Sequence, residues 1–207
     1  MTDKFVASIM IGGQSKRMGG GIKSFLEFNE KKIFDRIFER LKPQIKTIII
    51  NCNSKDLILQ KYKIPIIQDI KQGYLGPLAG IHSAMSWIKK NNSNAEWLIT
   101  IPGDTPFIPS DLINRFKNKI STNKKIILAK SKNKIHPIIG VWHISLFNNL
   151  DNEINNGVRK ILTWANKHSI DYVNYSTENY DPFFNINTKY DLDLAINIEK
   201  IILKKNE

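Results

Sequence analysis

A short apolar run, FVASIMI, spans Phe5 to Ile11 and breaks at once into GGQSKRMGGGIK, which ends at Lys23. No other stretch constrains the fold as much. A β-branched run that stops at glycines reads as a buried strand feeding a loop that approaches something closely. Gly12, Gly13, Gly19, Gly20 and Gly21 let the backbone turn several N–H groups into one concavity, which is how proteins hold phosphate. Lys16, Arg17 and Lys23 set positive charge around it. The expectation is a nucleotide-phosphate loop at the carboxyl end of the first strand, with a merely structural turn as the alternative. The spacing is not GxxxxGK[ST], because no glycine directly precedes Lys23, and it is not GxGxxG.

The chain beyond the loop keeps the same rhythm. Ile33, Phe34, Ile37, Phe38 and Leu41 recur at helical spacing, with Pro43 just past the last of them. Thr47 to Ile50 reads as a second strand, Asp56 to Tyr62 as a polar helix, and Ile64 to Gln68 as a third strand closed by Asp69. This β-loop-α-β-α-β order predicts a parallel sheet covered by helices. Gly76 and Pro77 then open a helix with small residues, Ala79, Gly80, Ser83 and Ala84, along its start. Trp97 to Ile101 is another buried strand, ending in PGDTPFIPSDL, where three prolines hold Asp104 and Thr105 on a stiff loop before a helix over Ser110 to Lys119.

Strands are expected at Lys125 to Ala129 and Pro137 to His143, joined by KSKNK, and at Tyr172 to Tyr175. Helices are expected at Ser145 to Asn155, Val158 to Lys167 and Tyr190 to Leu203. No linker or repeat divides the 207 residues, a length that suits one well-filled core, so a single α/β domain over 1–207 is expected.

Composition narrows the function. A single cysteine, Cys52, leaves no internal disulfide framework and no cysteine-rich zinc site, and the four histidines have no metal-ligand spacing. No apolar run approaches the ~20 residues of a membrane span, and MTDKFVAS does not read as a signal peptide. A cytoplasmic protein is expected. The net charge of +12 raises nucleic acid as a partner. The lysines, however, are spread among asparagines and isoleucines along the whole chain, with no arginine-rich arm or RNP-like run. Attraction for small anions is the expected consequence, without a nucleic-acid or membrane partner.

In open parallel sheets ligands sit outside the carboxyl ends of the strands. Those ends here carry the glycine loop, Asn51, Asp69 and Asp104. Each has two readings. Asp104 before Thr105 is either a loop cap or a carboxylate for Mg²⁺ held by triphosphate. Asp69 and Asn51 are either turn-formers or ligand contacts, and Lys23 and Arg17 are either surface charges or phosphate partners. His136, before Pro137, reads as structural.

Taken in order, GGQSKRMGG with its downstream Lys23, NCN, GPLAGI, GDTPFIP, His136-Pro137, NGVRK and FFNINT resemble the molybdenum cofactor guanylyltransferases over nearly the whole chain. The resemblance implies a Rossmann-like three-layer sandwich with a mostly parallel central sheet. Residues 1–110 would form a nucleotide-binding half and 111–207 a cofactor-side half. It implies transfer of GMP from GTP to the terminal phosphate of Mo-molybdopterin, with Mg²⁺, and transient contact with proteins that deliver or receive the cofactor.

By matching position, Met10, Ile11 and Gly12 would line the guanine site through backbone groups, and Asn51 and Asp69 would complete nucleotide recognition. Arg17 and Lys23 would face the phosphates, and Asp104 would bind Mg²⁺. Gly80, Arg159, Asn185 and Asn187 would lie on the molybdopterin side. The family usually has Leu-Ala-Gly-Gly where this chain has Met10-Ile11-Gly12-Gly13, so Ile11 is expected to crowd the base unless the contact is through the backbone. It often has an acidic residue at the place of Ile22 and a cysteine at the place of Gly103. A cytidylyltransferase for the same cofactor, a sugar-phosphate nucleotidyltransferase and a non-catalytic nucleotide-binding adaptor are the rival readings.

Overall fold

Along β1 (Phe5–Ile11) the side chains divide by parity, as a strand buried on both faces requires. Val6 and Met10 enter one apolar layer, while Ala7, Ile9 and Ile11 enter the other. The rest of the molecule is built on those two layers. The computed structural model describes residues 4–12, 23–54, 57–71, 73, 75–92, 94–121 and 123–204. Arg17 and the glycine loop beyond Gly12 lie outside the described residues.

The two-residue strands β2 (Glu27–Phe28) and β3 (Lys31–Lys32) follow β1 and lead into α1 (Ile33–Leu41). Then come β4 (Ile48–Cys52), β5 (Ile66–Ile67), α2 (Pro77–Asn91), β6 (Trp97–Pro102) and α3 (Leu112–Lys117). The second half runs β7 (Ile126–Ser131), β8 (Lys134–His143), α4 (Phe147–Asn155), α5 (Ile161–Ala165), β9 (Ile170–Tyr175) and α6 (Lys189–Lys204). The seven-stranded sheet has the order β5-β4-β1-β6-β8-β7-β9. Every neighbouring pair is parallel except those that β8 makes with β6 and β7. The result is a single α/β domain in three layers.

Helices α1, α3 and α6 pack with Ile33, Phe34, Ile37, Leu112, Phe116 and Ala195 against one face. On the other face α2, α4 and α5 pack with Leu78, Ile81, Met85, Leu150 and Trp164. In α1 the buried residues Ile33, Phe34, Ile37 and Leu41 form one stripe, the spacing read from the sequence. α2 is buried nearly all round, because it lies over the sheet under α4. The chain runs from β1 outward to β4 and β5, then returns to place β6 on β1's other side. Strand order therefore reverses between β1 and β6, where such sheets open a crevice at their carboxyl edge.

Two elements are smaller than the sequence pattern suggests. Residues Leu57–Tyr62 form a 3-10 turn instead of a polar α-helix. Among Ile58 to Tyr62 only Leu59 is fully buried, too little anchorage to offset helix nucleation over so short a run. The strand expected at Ile64 to Gln68 keeps only Ile66–Ile67, since Pro65 has no N–H and serves the sheet by accepting from Ile50 N at 2.8 Å.

β7 and β8 are longer than expected, because the turn between them uses only Lys132 and Asn133, at φ 47° and 60°. Two left-handed residues are what a two-residue hairpin needs. β8 consequently begins before His136-Pro137. Its pairing with β6 runs from His143 to Gly140 and goes no further. Beyond that point β8 pairs with β7 alone, through a register shift opposite Leu128 and Ala129. Pro137 sits inside the irregular stretch, the place a central strand tolerates proline. β6 and β8 part there, and a cleft opens between them.

Candidate active site

The end of β6 folds over the end of β1. Gly103 N donates to Met10 O at 2.9 Å, and a Cβ on Gly103 would lie 2.6 Å from Ser24 Oγ. A glycine here lets the loop after β6 close on the turn that begins with Lys23. Asp104 follows with both carboxylate oxygens engaged. Oδ2 is 2.8 Å from Lys23 Nζ, and Oδ1 accepts from Asn185 Nδ2 at 3.0 Å. Lys23 also donates to Asn187 Oδ1, and Ile186 N donates to the Asp104 carbonyl at 3.0 Å. Three distant pieces of chain thus meet at one ion pair, which is 14% exposed on the lysine side and 23% on the aspartate side.

Asn187 owes its place to the start of α6. Asp191 accepts from the N–H groups of Asn187 and Thr188, both at 2.8 Å, and Asp191 N donates to Thr188 Oγ1 at 3.2 Å. This is a capping box, with aspartate in place of the usual glutamate. Burial works against ionisation of Asp191, but the bonds from Asn187 and Thr188 and the charge of Lys23 outweigh it, so its carboxyl is held below the usual range. The Thr188-x-x-Asp191 spacing is visible in the sequence and went unused there.

A second polar set lies on the other side of β1. Asn51 ends beside Met10 in the β1–β4 register, while Pro102 ends beside Met10 in the β1–β6 register. Asn51 Nδ2 donates to Asp69 Oδ1 at 3.0 Å, and Asn53 Nδ2 donates to Asp69 Oδ2 at 2.8 Å. Asp69 N returns a bond to Asn53 Oδ1 at 2.7 Å. Asn53, the last residue of NCN, joins Asn51 on Asp69, a partner that sequence reasoning, which named only Asn51 and Asp69, did not single out. Met10 and Ile11 are both buried, on opposite faces of the sheet, so only their backbone reaches the edge. Ile11 packs into the α1 layer and does not project over the edge. A Cβ on Gly12 would meet nothing within 4 Å.

Gly80 sits beneath this set. A Cβ there would collide with Met10 Cε and Asn51 Oδ1, so the glycine lets α2 lie against the ends of β1 and β4. Arg159 stands apart: its guanidinium donates to Ile154 O at 2.7 Å and Val158 O at 2.9 Å, closing the end of α4. Its carbonyl lies beside Gly76, whose φ of +70° starts α2.

The cleft between β6 and β8 opens next to the Lys23–Asp104 pair. Its volume is about 460 Å³, and Pro102, His136, Asp181, Phe183, Asn185 and Asn187 are among its lining residues. The arrangement offers a cation and a carboxylate at one end and a mixed polar and aromatic wall along the other. Such a constellation can neutralise and position phosphate groups.

The family described as the MobA-like NTP transferase domain matches residues 7–170. The chain belongs to this family. The matched region holds Lys23, Asn51, Asp69 and Asp104 and stops short of Asn185 and Asn187. Among curated relatives, the molybdenum cofactor guanylyltransferase of Nitrobacter hamburgensis is 34% identical over 89% of this chain and 89% of its own. That of Yersinia pestis (strain Pestoides F) is 34% identical over 94% of this chain and 96% of its own. Molybdopterin-guanine dinucleotide biosynthesis protein A from Archaeoglobus fulgidus shares the fold, with a TM-score of 0.74 at 23% identity, over 96% of this chain and 99% of that one.

The metal chemistry of an NTP transferase can be tested on the donor set. Among the described residues no group of three His, Cys, Asp or Glu side chains could hold a metal ion. Asp104 supplies a partly exposed carboxylate with Asn185 and Asn187 beside it, all hard oxygen or amide groups. One carboxylate with open positions suits a hard cation that brings phosphate oxygens and water with it. No helix of the described residues is long and apolar enough to cross a membrane.

Proposed function

We propose that this protein is a guanylyltransferase that transfers GMP from GTP to the terminal phosphate of Mo-molybdopterin and releases pyrophosphate. The observation that carries the reading is the meeting of Lys23, Asp104, Asn185 and Asn187 at the mouth of the β6–β8 cleft. That point adjoins the strand-order reversal, in a chain whose curated relatives are molybdenum cofactor guanylyltransferases. GTP occupies the side of β1 that holds Asn51 and Asp69, with the backbone of Met10, Ile11 and Gly12 at the base. Gly80, expected from the sequence on the molybdopterin side, packs against Met10 and Asn51 and so serves the GTP side by letting them keep their places. The molybdopterin lies in the cleft beside Asn185 and Asn187, within the half that follows residue 110. Arg159 approaches the same substrate from the end of α4.

An oxygen of the cofactor's terminal phosphate attacks the α-phosphorus of GTP. A new P–O bond forms, the bond to the β-phosphate bridging oxygen breaks, and its electron pair leaves on pyrophosphate. The attacking phosphate is already ionised near neutral pH, so no general base is needed. What remains is to hold two polyanions in line, an alignment that can contribute about 7–11 kcal/mol. Lys23 and Arg17 offset the repulsion between them. Asp104 would hold Mg²⁺, which when bound supplies further neutralisation at the triphosphate. The single cysteine, Cys52, is buried and the chain needs no oxidising compartment, which supports a cytoplasmic site for the reaction. Proteins that supply the cofactor or accept the product are its expected transient partners.

The test is incubation with GTP, Mg²⁺ and molybdenum cofactor, following a GMP-linked pterin and pyrophosphate, with CTP, ATP and UTP in parallel. Product from GTP above the other nucleotides is expected. Absence of a nucleotide-linked product, or preference for CTP, overturns the reading.

A further inference from the structure

His136 is 8% exposed and lines the cleft, yet the phosphate chemistry above makes no use of it. Its surroundings determine what it presents. Asp181 accepts from Phe183 N at 3.0 Å and from Ser131 Oγ at 2.9 Å. The Ser131 hydroxyl has one proton, and that proton goes to the carboxylate. Its oxygen then accepts from His136 Nε2, 2.6 Å away. The Asp181–Ser131–His136 relay therefore puts the imidazole proton on Nε2 and leaves the lone pair on Nδ1.

Nδ1 has no hydrogen-bond partner among the described residues, and it is not among the side-chain atoms sealed from solvent without one. The Phe183 ring packs 4.9 Å from the imidazole and limits its rotation. Burial lowers the pKa of His136, and the charge of Lys134 adds to that effect against the opposing pull of Asp181, so the ring is neutral near pH 7. A buried neutral imidazole with one nitrogen tied back and the other open is a hydrogen-bond acceptor of fixed direction. The relay satisfies only Nε2, and Nδ1 keeps an unused lone pair at the cleft wall.

We infer that His136 is a specificity-determining residue for the second substrate, its Nδ1 accepting a hydrogen bond from an N–H donor of the pterin. The inference rests on the proposed placement of molybdopterin in the cleft. Pterins carry an exocyclic amino group and ring N–H groups, donors that match a lone pair and that the phosphate end of the substrate lacks. Ser131 is the positioning residue that selects the tautomer. The cleft owes this acceptor to the irregular stretch around Pro137, because pairing with β6 ends at Gly140 and His136 keeps only Ala129 of β7 as its strand partner.

Two isosteric substitutions separate this role from a structural one. In His136→Gln the amide reaches the place of Nε2 and keeps the tie to Ser131, but nothing replaces Nδ1. In His136→Asn the amide oxygen takes the place of Nδ1 and the tie to Ser131 is lost. Molybdopterin binding is measured anaerobically by pterin fluorescence, alongside GTP affinity and Tm. The expected result is a Kd for molybdopterin raised about tenfold in His136→Gln, the scale of one hydrogen bond, with His136→Asn closer to wild type and GTP affinity unchanged in both. Ser131→Ala, which leaves the imidazole in place but frees its tautomer, is expected to weaken pterin binding and spare GTP.

The inference is overturned if His136→Gln binds the pterin as wild type does, if Asn is the worse substitution and both lower Tm together, if Ser131→Ala is silent, or if wild type binds no pterin. A wild type that binds the pterin but forms no GMP-linked product overturns the proposed activity and leaves His136 standing. A wild type that forms product while the variants match it overturns the inference alone.

Discussion

Lys23 Nζ lies 2.8 Å from Asp104 Oδ2, so the cation proposed to face phosphate and the carboxylate proposed to hold metal are each other's partner before any substrate arrives. Asn185 and Asn187 hold the pair from the start of the chain's last segment. The pair keeps both charges compensated at the edge of the core, and the proposed function requires it to part when triphosphate and its cation enter. On that reading, binding of nucleotide and metal is coupled through one contact.

Asp104→Asn keeps the shape of the loop and removes the charge. The backbone carbonyl of Asp104 still accepts from Ile186 N, so the fold is retained. Metal-dependent transfer is expected to fall about 100-fold or more, the usual cost of losing one electrostatic stabiliser, with Tm within a few degrees of wild type. Near-normal turnover in Asp104→Asn would remove the metal assignment.

Lys23→Met leaves Asp104 without its cation. The nucleotide-free variant is expected to bind Mn²⁺ about tenfold more tightly than wild type, since a positive charge beside the carboxylate repels a divalent ion. Its affinity for GTP falls at the same time. Mn²⁺ titration by electron paramagnetic resonance, with Asp104→Asn as the blank, reads the metal half, and calorimetric titration with GTP reads the other. Equal Mn²⁺ affinity in Lys23→Met and wild type contradicts the competition.

Gly80→Ala places a methyl group against Met10 Cε and Asn51 Oδ1. Overpacking of this kind costs about 1–3 kcal/mol, or roughly 2–4 °C of Tm for each kcal/mol in a chain of this size. Displacement of Asn51 also loosens its bond to Asp69, so GTP affinity drops along with stability. Urea denaturation and GTP titration on the same preparation decide the matter, and a stable variant with normal GTP binding refutes the packing argument.

His82 lies under α4 with Nε2 2.9 Å from Asp151 Oδ1 and Nδ1 sealed without a partner. Burial lowers its pKa below 6.5, against the opposing pull of Asp151. Below pH 6.5 the unfolded chain takes up a proton that the folded protein refuses, so stability is complete above that pH and declines as pH falls toward the folded value. His82→Gln removes this site while His136, His143 and His168 still titrate. The difference in unfolding free energy between wild type and His82→Gln is expected to be flat above pH 7 and to slope by at most about 1.4 kcal/mol per pH unit below it. Parallel curves from pH 5 to 8 rule the effect out.

The sequence shows the polar ends of β1, β4 and β6, because strand ends are marked by glycine, asparagine and proline next to β-branched runs. Lys23, Asn51, Asp69 and Asp104 are visible for that reason. Asn53 and Asp191 were also within reach, one as the end of NCN and the other through its Thr188 capping spacing. That His136 lines a cleft was not legible, because nothing local shows that pairing of β6 with β8 stops at Gly140. NGVRK makes Arg159 visible, but its bonds to Ile154 O and Val158 O follow from how α4 ends, which no local pattern shows.

By itself the sequence determined the main strands and helices and their order, though not β2 and β3 or the 3-10 form of Leu57–Tyr62, and it placed the glycine loop directly after the FVASIMI strand. Those properties depend on side-chain period and on glycine and proline geometry, which act over a few residues. The tertiary structure alone decided that β8 runs against its neighbours, that a cleft opens beside it, and that Lys23, Asp104 and Asn187 meet. Asn187 lies 164 residues from Lys23, and no local pattern specifies a partner at that distance. Contacts of that range are selected by the burial of both faces of the sheet, which sums over the whole chain.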